Sequence, residues 1–132
     1  MRYLLDTNII SDLMRNPDGR VPMKIDEVGE KNIFTSILAI GEVRYGIEKR
    51  GSKRHAMALK KILPFMRPEP WSAPADECYA KIRLAIEAMG LPVGQLDMLL
   101  GAQALASNAV FVTANEKHFR HMPGLKVENW LR

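Results

Sequence analysis

The sequence predicts an α/β fold with a central, mostly parallel sheet of four to five short strands between helical layers. Three observations carry that prediction. Tyr3-Leu4-Leu5 is a short apolar run that stops at Asp6, and a helical pattern begins at once with Ile9, Ile10, Leu13 and Met14. Ala109-Val-Phe-Val112 is an uninterrupted apolar run, the signature of a strand covered on both faces. Between the two, short apolar runs alternate with segments of helical period from end to end. Right-handed crossovers then put helices on both faces of the sheet, and helix is expected to outweigh strand.

In chain order, Asn16-Pro17-Asp18-Gly19 is a turn signal. Residues 21 to 30 carry Val21, Ile25 and Val28 on one side of a second helix, and Asn32-Ile-Phe-Thr35 reads as the second strand. Ser36 is a helix cap, and the helix it starts runs to Gly51. Residues 52 to 65 form another helix. Pro64, Pro68, Pro70 and Pro74 then mark a linker-like region around a short strand at Trp71. Residues 75 to 89 are helical, with Gly90 as the stop. A loop over 91–95 precedes a Leu- and Ala-rich helix over 96–107. The strand over 108–113, one helical turn at 115–121 and an edge strand at 126–128 complete a single domain, residues 1–132.

A length of 132 residues supports a real core without staples. A composition of 47% hydrophobic and 26% charged residues argues against disorder. No apolar run approaches the roughly 20 residues of a membrane helix, and the three apolar residues before Asp6 are too few for a signal peptide, so no membrane partner is expected and the expected compartment is the cytoplasm. Cys78 alone forms no internal disulfide or metal cluster, and is expected to pack. Between Arg44 and Lys61 lie seven Lys/Arg against one acid, Glu48. That is a local charge of +6, which leaves −2 for the rest of a chain whose total is +4. Such a stretch suits a polyanion, and Arg44, Lys49, Arg50, Lys53 and Arg54 are the candidates for phosphate contacts; a solvated helix face is the plain alternative.

Three acids stand in apolar surroundings: Asp6 after the first strand, Glu42 in Ile37-Leu-Ala-Ile-Gly-Glu42-Val, and Asp97 between Leu96 and Met98-Leu-Leu. Each has a structural reading: Asp6 caps a helix, Glu42 pairs with Arg44 or a core Arg, Asp97 meets a helix dipole. Together they all fall where the carboxyl edge of a parallel sheet could gather them, the place where such sheets bind ligands. Gathered carboxylates repel by about a few kcal/mol per pair at an effective dielectric near 20, so a cluster implies a cation. All-oxygen ligation suits Mg²⁺, with Mn²⁺ as a substitute, and Mg²⁺ on carboxylates is chemistry for phosphoryl transfer.

Four motifs carry a resemblance: Leu5-Asp6-Thr7-Asn8, Ser36–Gly46 around Glu42, Pro92-Val-Gly-Gln-Leu-Asp97-Met, and Phe111-Val-Thr113-Ala-Asn115. In this order and length they resemble the PIN-domain nucleases, and the ending His118–Trp130 is similar to the VapC toxin branch. The resemblance implies a three-layer α/β/α fold and a metal-dependent endoribonuclease, the toxin of a type II toxin–antitoxin pair. Its partners would be an RNA substrate, a VapB-like antitoxin and a second toxin subunit, giving a homodimer and a toxin–antitoxin hetero-oligomer. It implies Asp6, Glu42 and Asp97 as metal-binding acids, Thr7 and Thr113 as supports, and a fourth position at Asn115, where the family commonly has an acid; neighbouring Glu116 is the other candidate there. The Pro92–Asp97 and Gly124–Trp130 stretches resemble toxins that cut initiator transfer RNA. Trp71 and Trp130 are candidates for base stacking or packing, Lys81, Arg83 and Arg120 for phosphate contacts, and the Ile9, Ile10, Leu13 and Met14 stripe for core or partner contact.

Two rival classes are weighed. A phosphatase forming an aspartyl-phosphate would want an acid where Asn8 stands, and would leave Glu42 unexplained. A PIN-type RNA-binding module without catalysis would fit Asn115, and the three acids speak against it.

Overall fold

The computed structural model describes all 132 residues. Its strands are β1 (Arg2–Leu5), β2 (Ile33–Ser36), β3 (Pro68–Glu69), β4 (Ala109–Val112) and β5 (Val127–Glu128). They form one sheet in the order β3-β2-β1-β4-β5, every neighbouring pair parallel. The helices are α1 (Thr7–Arg15), α2 (Arg20–Val28), α3 (Ile37–Arg50), α4 (Lys53–Met66), α5 (Ala75–Ala88), α6 (Gln95–Ala106) and α7 (Glu116–Phe119), with a 3₁₀ turn at Glu30–Asn32.

The layers follow from handedness. The steps β1 to β2 and β2 to β3 move the same way along the sheet, so right-handed crossovers place α1–α4 on one face. The return from β3 to β4 reverses direction and puts α5 and α6 on the other, and α5 packs most extensively on α6. The reversal occurs beside β1, which makes the carboxyl ends of β1 and β4 the switch point of the sheet. β2 and β4 are buried along their whole length; β4 accordingly reads as an unbroken apolar run, while β2 ends in Thr35 and Ser36, whose hydroxyls bond the Leu5 carbonyl and the Leu38 N–H.

Local chemistry fixes the joints. Ser36 Oγ accepts from the Leu38 N–H at 3.0 Å and starts α3. Gly51 ends α3 in the left-handed region (φ 63°), where a side chain would be strained. Two expectations are corrected. The short strand is at Pro68–Glu69 and not at Trp71; Trp71 instead donates its indole N–H to the Leu99 carbonyl at 2.8 Å, tying the segment to α6. Pro64 is not in the linker but inside α4 near its end, where the carbonyl its ring displaces sits in a single exposed turn. Ile9, Ile10 and Leu13 are buried, so the first helix sinks its stripe into the core. Cys78 packs, half-buried, against that core. No helix is long and apolar enough to cross a membrane.

Candidate active site

Asp6 follows β1 directly, at the switch point. Its backbone N–H donates to the Val112 carbonyl at 2.9 Å, so the last residue of β4 holds the turn. Its carboxylate is 4% exposed and accepts three bonds: from the Thr7 N–H at 2.7 Å, the Thr113 hydroxyl at 2.8 Å and the Asn8 amide at 3.3 Å. The Thr113 hydroxyl in turn accepts from the Asn115 N–H at 3.0 Å, and Asn8 Oδ1 accepts from the Ala114 N–H at 3.1 Å. Asn8, part of the opening motif, thereby bolts the loop after β1 to the loop after β4.

Burial pushes the Asp6 carboxyl above the usual carboxylate range, and the charge of Asp97 pushes the same way; the Thr113, Thr7 and Asn8 donors oppose them. A carboxylate offers about four acceptor positions. Three are taken, and the remaining capacity faces an open cleft of about 440 Å³ lined by Asp6, Thr7, Asn8, Glu42, Asp97 and Asn115 among others. Glu42 is exposed on α3 and has no ion-pair partner, which sets aside its pairing with Arg44. Asp97 is in the first turn of α6. Acids at or near the starts of three separate helices therefore share one cleft.

One functional candidate escaped the sequence analysis. His118 Nδ1 lies 2.6 Å from Asp97 Oδ2 and 2.8 Å from the Asn115 amide nitrogen. An ionised carboxylate only accepts, so Nδ1 carries the proton toward Asp97 and cannot also accept from the amide. With the amide turned over, its oxygen shares that proton and its NH₂ faces the cleft. Asn115 then presents donors, where an acid would present a charge. The spacing of 21 residues between Asp97 and His118 carries no local signal. Glu116 does not line the cleft; it pairs with Arg132, which lowers its pKa.

The basic stretch divides. Arg50 and Arg54 line concavities beside the cleft. Arg44 lines a different groove, with Glu48 and Lys60. Lys49 sits over the Tyr45 ring at 5.9 Å, and Lys53 is exposed at the start of α4. Trp130 is fully buried and stacks on nothing outside the fold.

The donor set tests the cation expectation. It is carboxylate and hydroxyl oxygen, the kind of ligand a hard divalent ion prefers. No three His, Cys, Asp or Glu side chains stand close enough to ligate one ion directly. The residues that would hold such an ion are therefore Asp6 and Asp97, the pair whose charges act on each other, with Glu42 lining the same cleft.

Comparison with known proteins decides the family. The PIN-domain family matches residues 3–125. The chain belongs to it. This PIN domain is 32% identical to Ribonuclease VapC2 of Rickettsia felis across 98% of both chains, which places it in the VapC branch. It is 24% identical to the tRNA(fMet)-specific endonuclease VapC of Shigella flexneri, again across 98% of both. The crystal structure of VapBC2 from Rickettsia felis, bound to a DNA fragment from its promoter, superposes with a TM-score of 0.89 at 31% identity, over 98% of this PIN domain and 99% of that chain. The α/β/α layering expected from the resemblance is the observed one.

Proposed function

We propose that this PIN domain is a metal-dependent endoribonuclease, the toxin of a toxin–antitoxin pair, which hydrolyses phosphodiester bonds of a transfer RNA and is neutralised by a VapB-like antitoxin. The observation that carries the reading is that Asp6, Glu42 and Asp97, drawn from three different helices, line one cleft at the switch point of the sheet. The VapC ribonucleases among its relatives support the activity. The VapBC neighbour supports the antitoxin, and exposed apolar side chains such as Met23, Tyr45, Met57 and Leu84 offer protein partners, a second toxin subunit included, places to anchor. Transfer RNA follows the Shigella relative's name.

A Mg²⁺ or Mn²⁺ ion bound between Asp6 and Asp97 would supply charge neutralisation at the phosphate and acidify a water. The chain's own groups do the rest. The three donors on Asp6 hold its carboxylate in one orientation and offset part of the cost of burying its charge. Asp97 is aimed by His118, Glu42 takes a proton from or orients water across the cleft, and the Asn115 NH₂ donates to a phosphate oxygen. Attack by water on an RNA phosphodiester leaves 5′-phosphate and 3′-hydroxyl ends.

The test is cleavage of total transfer RNA by the purified protein with Mg²⁺ or Mn²⁺. EDTA is expected to abolish a discrete cut, and the ends are expected to be 5′-phosphate. Ends bearing 2′,3′-cyclic phosphate would overturn the mechanism. RNA binding without any cut in either metal would favour the non-catalytic binding module, which Asn115 in place of an acid suits. A second prediction concerns His118. Partners that orient metal ligands are typically worth about 10–100-fold in affinity or activity. His118→Ala is expected to weaken Mn²⁺ binding, read by calorimetry, within that range, and His118→Gln, which keeps a donor, to recover much of it. Equal Mn²⁺ affinity in all three proteins would show that His118 merely packs.

A further inference from the structure

A smaller concavity of about 110 Å³ opens beside the acidic cleft, where α1, α3 and the start of α4 meet. The two share Thr7, Ser11, Arg15 and Glu42 as common walls. Beyond those walls the groove adds Arg50 and His55.

The donors here are uncommitted. Arg15 has a side chain 60% exposed, and its single ion pair, with Asp12, is stretched to 3.9 Å. Arg50 makes no ion pair. The His55 backbone N–H donates to Ser52 Oγ at 3.2 Å, and its ring Nδ1 is 2.6 Å from the same oxygen. Nε2 is left free by this contact, and it carries a proton when the hydroxyl donates to Nδ1 and when the ring is charged. In those states His55 offers an N–H to the groove. Two guanidinium groups and an imidazole N–H face a single carboxylate, Glu42, which the acidic cleft claims. Guanidinium forks match phosphate oxygens in geometry as well as charge.

We propose that this groove is a phosphate subsite, which holds the backbone phosphate next to the one cut, with Arg15 standing between the two positions. The inference rests on the reading of RNA as substrate. It gives the strand a direction: from Asp6 and Asp97 past Arg15 and Glu42 toward Arg50 and His55. It also assigns to Arg15, outside the basic stretch of the sequence, a role equal to that of Arg50 within it.

The test uses the full chain carrying Asp6→Asn, so that RNA binding is measured without turnover, on a short single-stranded RNA across a salt series. Arg15→Gln and Arg50→Gln are each expected to weaken binding about tenfold, the usual loss for a charge-assisted bond, and to flatten the log–log salt slope by roughly one. Lys60→Gln, in the groove on the other side of α3 and α4, is the control and is expected to change neither. In the parent protein, Arg50→Gln is expected to raise KM and spare kcat. An uncharged methylphosphonate next to the scissile position is expected to cost the parent about tenfold in binding and the Arg50→Gln protein less, since Arg15 and His55 remain. Arg15→Gln and Arg50→Gln indistinguishable from Lys60→Gln would overturn the subsite, and so would a methylphosphonate penalty undiminished in Arg50→Gln. Absence of cleavage in the parent with binding and these differences intact would instead remove the nuclease reading and leave the subsite standing.

Discussion

Asp6→Asn is expected to lower the rate of RNA cleavage about 10³-fold while making the metal-free protein more stable. The first part follows from what a cation contributes to phosphoryl transfer, several kcal/mol of charge stabilisation, with each 1.36 kcal/mol worth tenfold in rate. The amide keeps the shape: its one oxygen can still accept from the Thr7 N–H, and the Thr113 hydroxyl, which meets the other position, can turn to accept from the NH₂, so the fold persists. The second part follows from the sign of the pKa shift. Burial first, and Asp97 second, raise the pKa of Asp6. An acid whose folded-state pKa is raised costs nothing while protonated in both states. The cost begins as pH climbs past its ordinary value and is complete above the raised one. At neutral pH the metal-free parent therefore carries a penalty that the Asp6→Asn variant lacks. Thermal melting in EDTA at pH 7 is expected to show a higher Tm for Asp6→Asn, with the gap closing as pH falls below the ordinary carboxylate range. In Mg²⁺ the order is expected to invert or narrow, because the ion stabilises the charged form. A lower Tm for the variant in EDTA at pH 7 would mean that the three hydrogen bonds outweigh the desolvation.

Trp130→Ala is expected to be the most destabilising single change in the molecule, by about 3–5 kcal/mol, the range for removing a large buried aromatic. Trp130 is 1% exposed, its ring lies 5.6 Å from that of Tyr3 at a tilt of 48°, and its indole N–H donates to the Glu128 carboxylate at 3.0 Å. It ties the tail of the chain to β1 through Tyr3 and to β5 through Glu128. A drop in Tm of roughly 10 °C or more is expected for a chain of this size. RNA affinity per folded molecule is expected to stay unchanged, since the ring reaches no surface. A small Tm change with weakened RNA binding would restore the base-stacking candidacy that its burial removes.

Much of this was legible in the chain. β4 announced itself because a strand covered on both faces is apolar throughout, and β1 and β2 because each holds a short apolar run that stops where a helical pattern begins. Asp6, Glu42 and Asp97 stood out because each is an acid set among apolar neighbours. What escaped detection did so for identifiable reasons. A two-residue strand such as Pro68–Glu69 has no period to detect, and the nearby Trp71 drew attention away from it. His118 reaches Asp97 only because α7 is set down beside α6. The basic stretch looked uniform in one dimension, yet Arg44 and Arg50 are six residues apart on a helix, about 240° around its axis, and so line different grooves. Arg15 was passed over because nothing local marks it; its position at the meeting of two concavities belongs to the tertiary structure.

The place of β1 between β2 and β4 governs when the enzyme becomes active during its own synthesis. Asp6 and the Thr113 hydroxyl that orients it are 107 residues apart. At about 5–20 residues per second a ribosome needs roughly 5–20 s to get from one to the other. Through that interval the first strand lacks its β4 partner, and the carboxylate lacks the donor that aims it. The nascent chain is latent, and a product cut short before Ala109 stays so. The cleft is therefore assembled only once nearly the whole chain has been made, whichever partner then meets it.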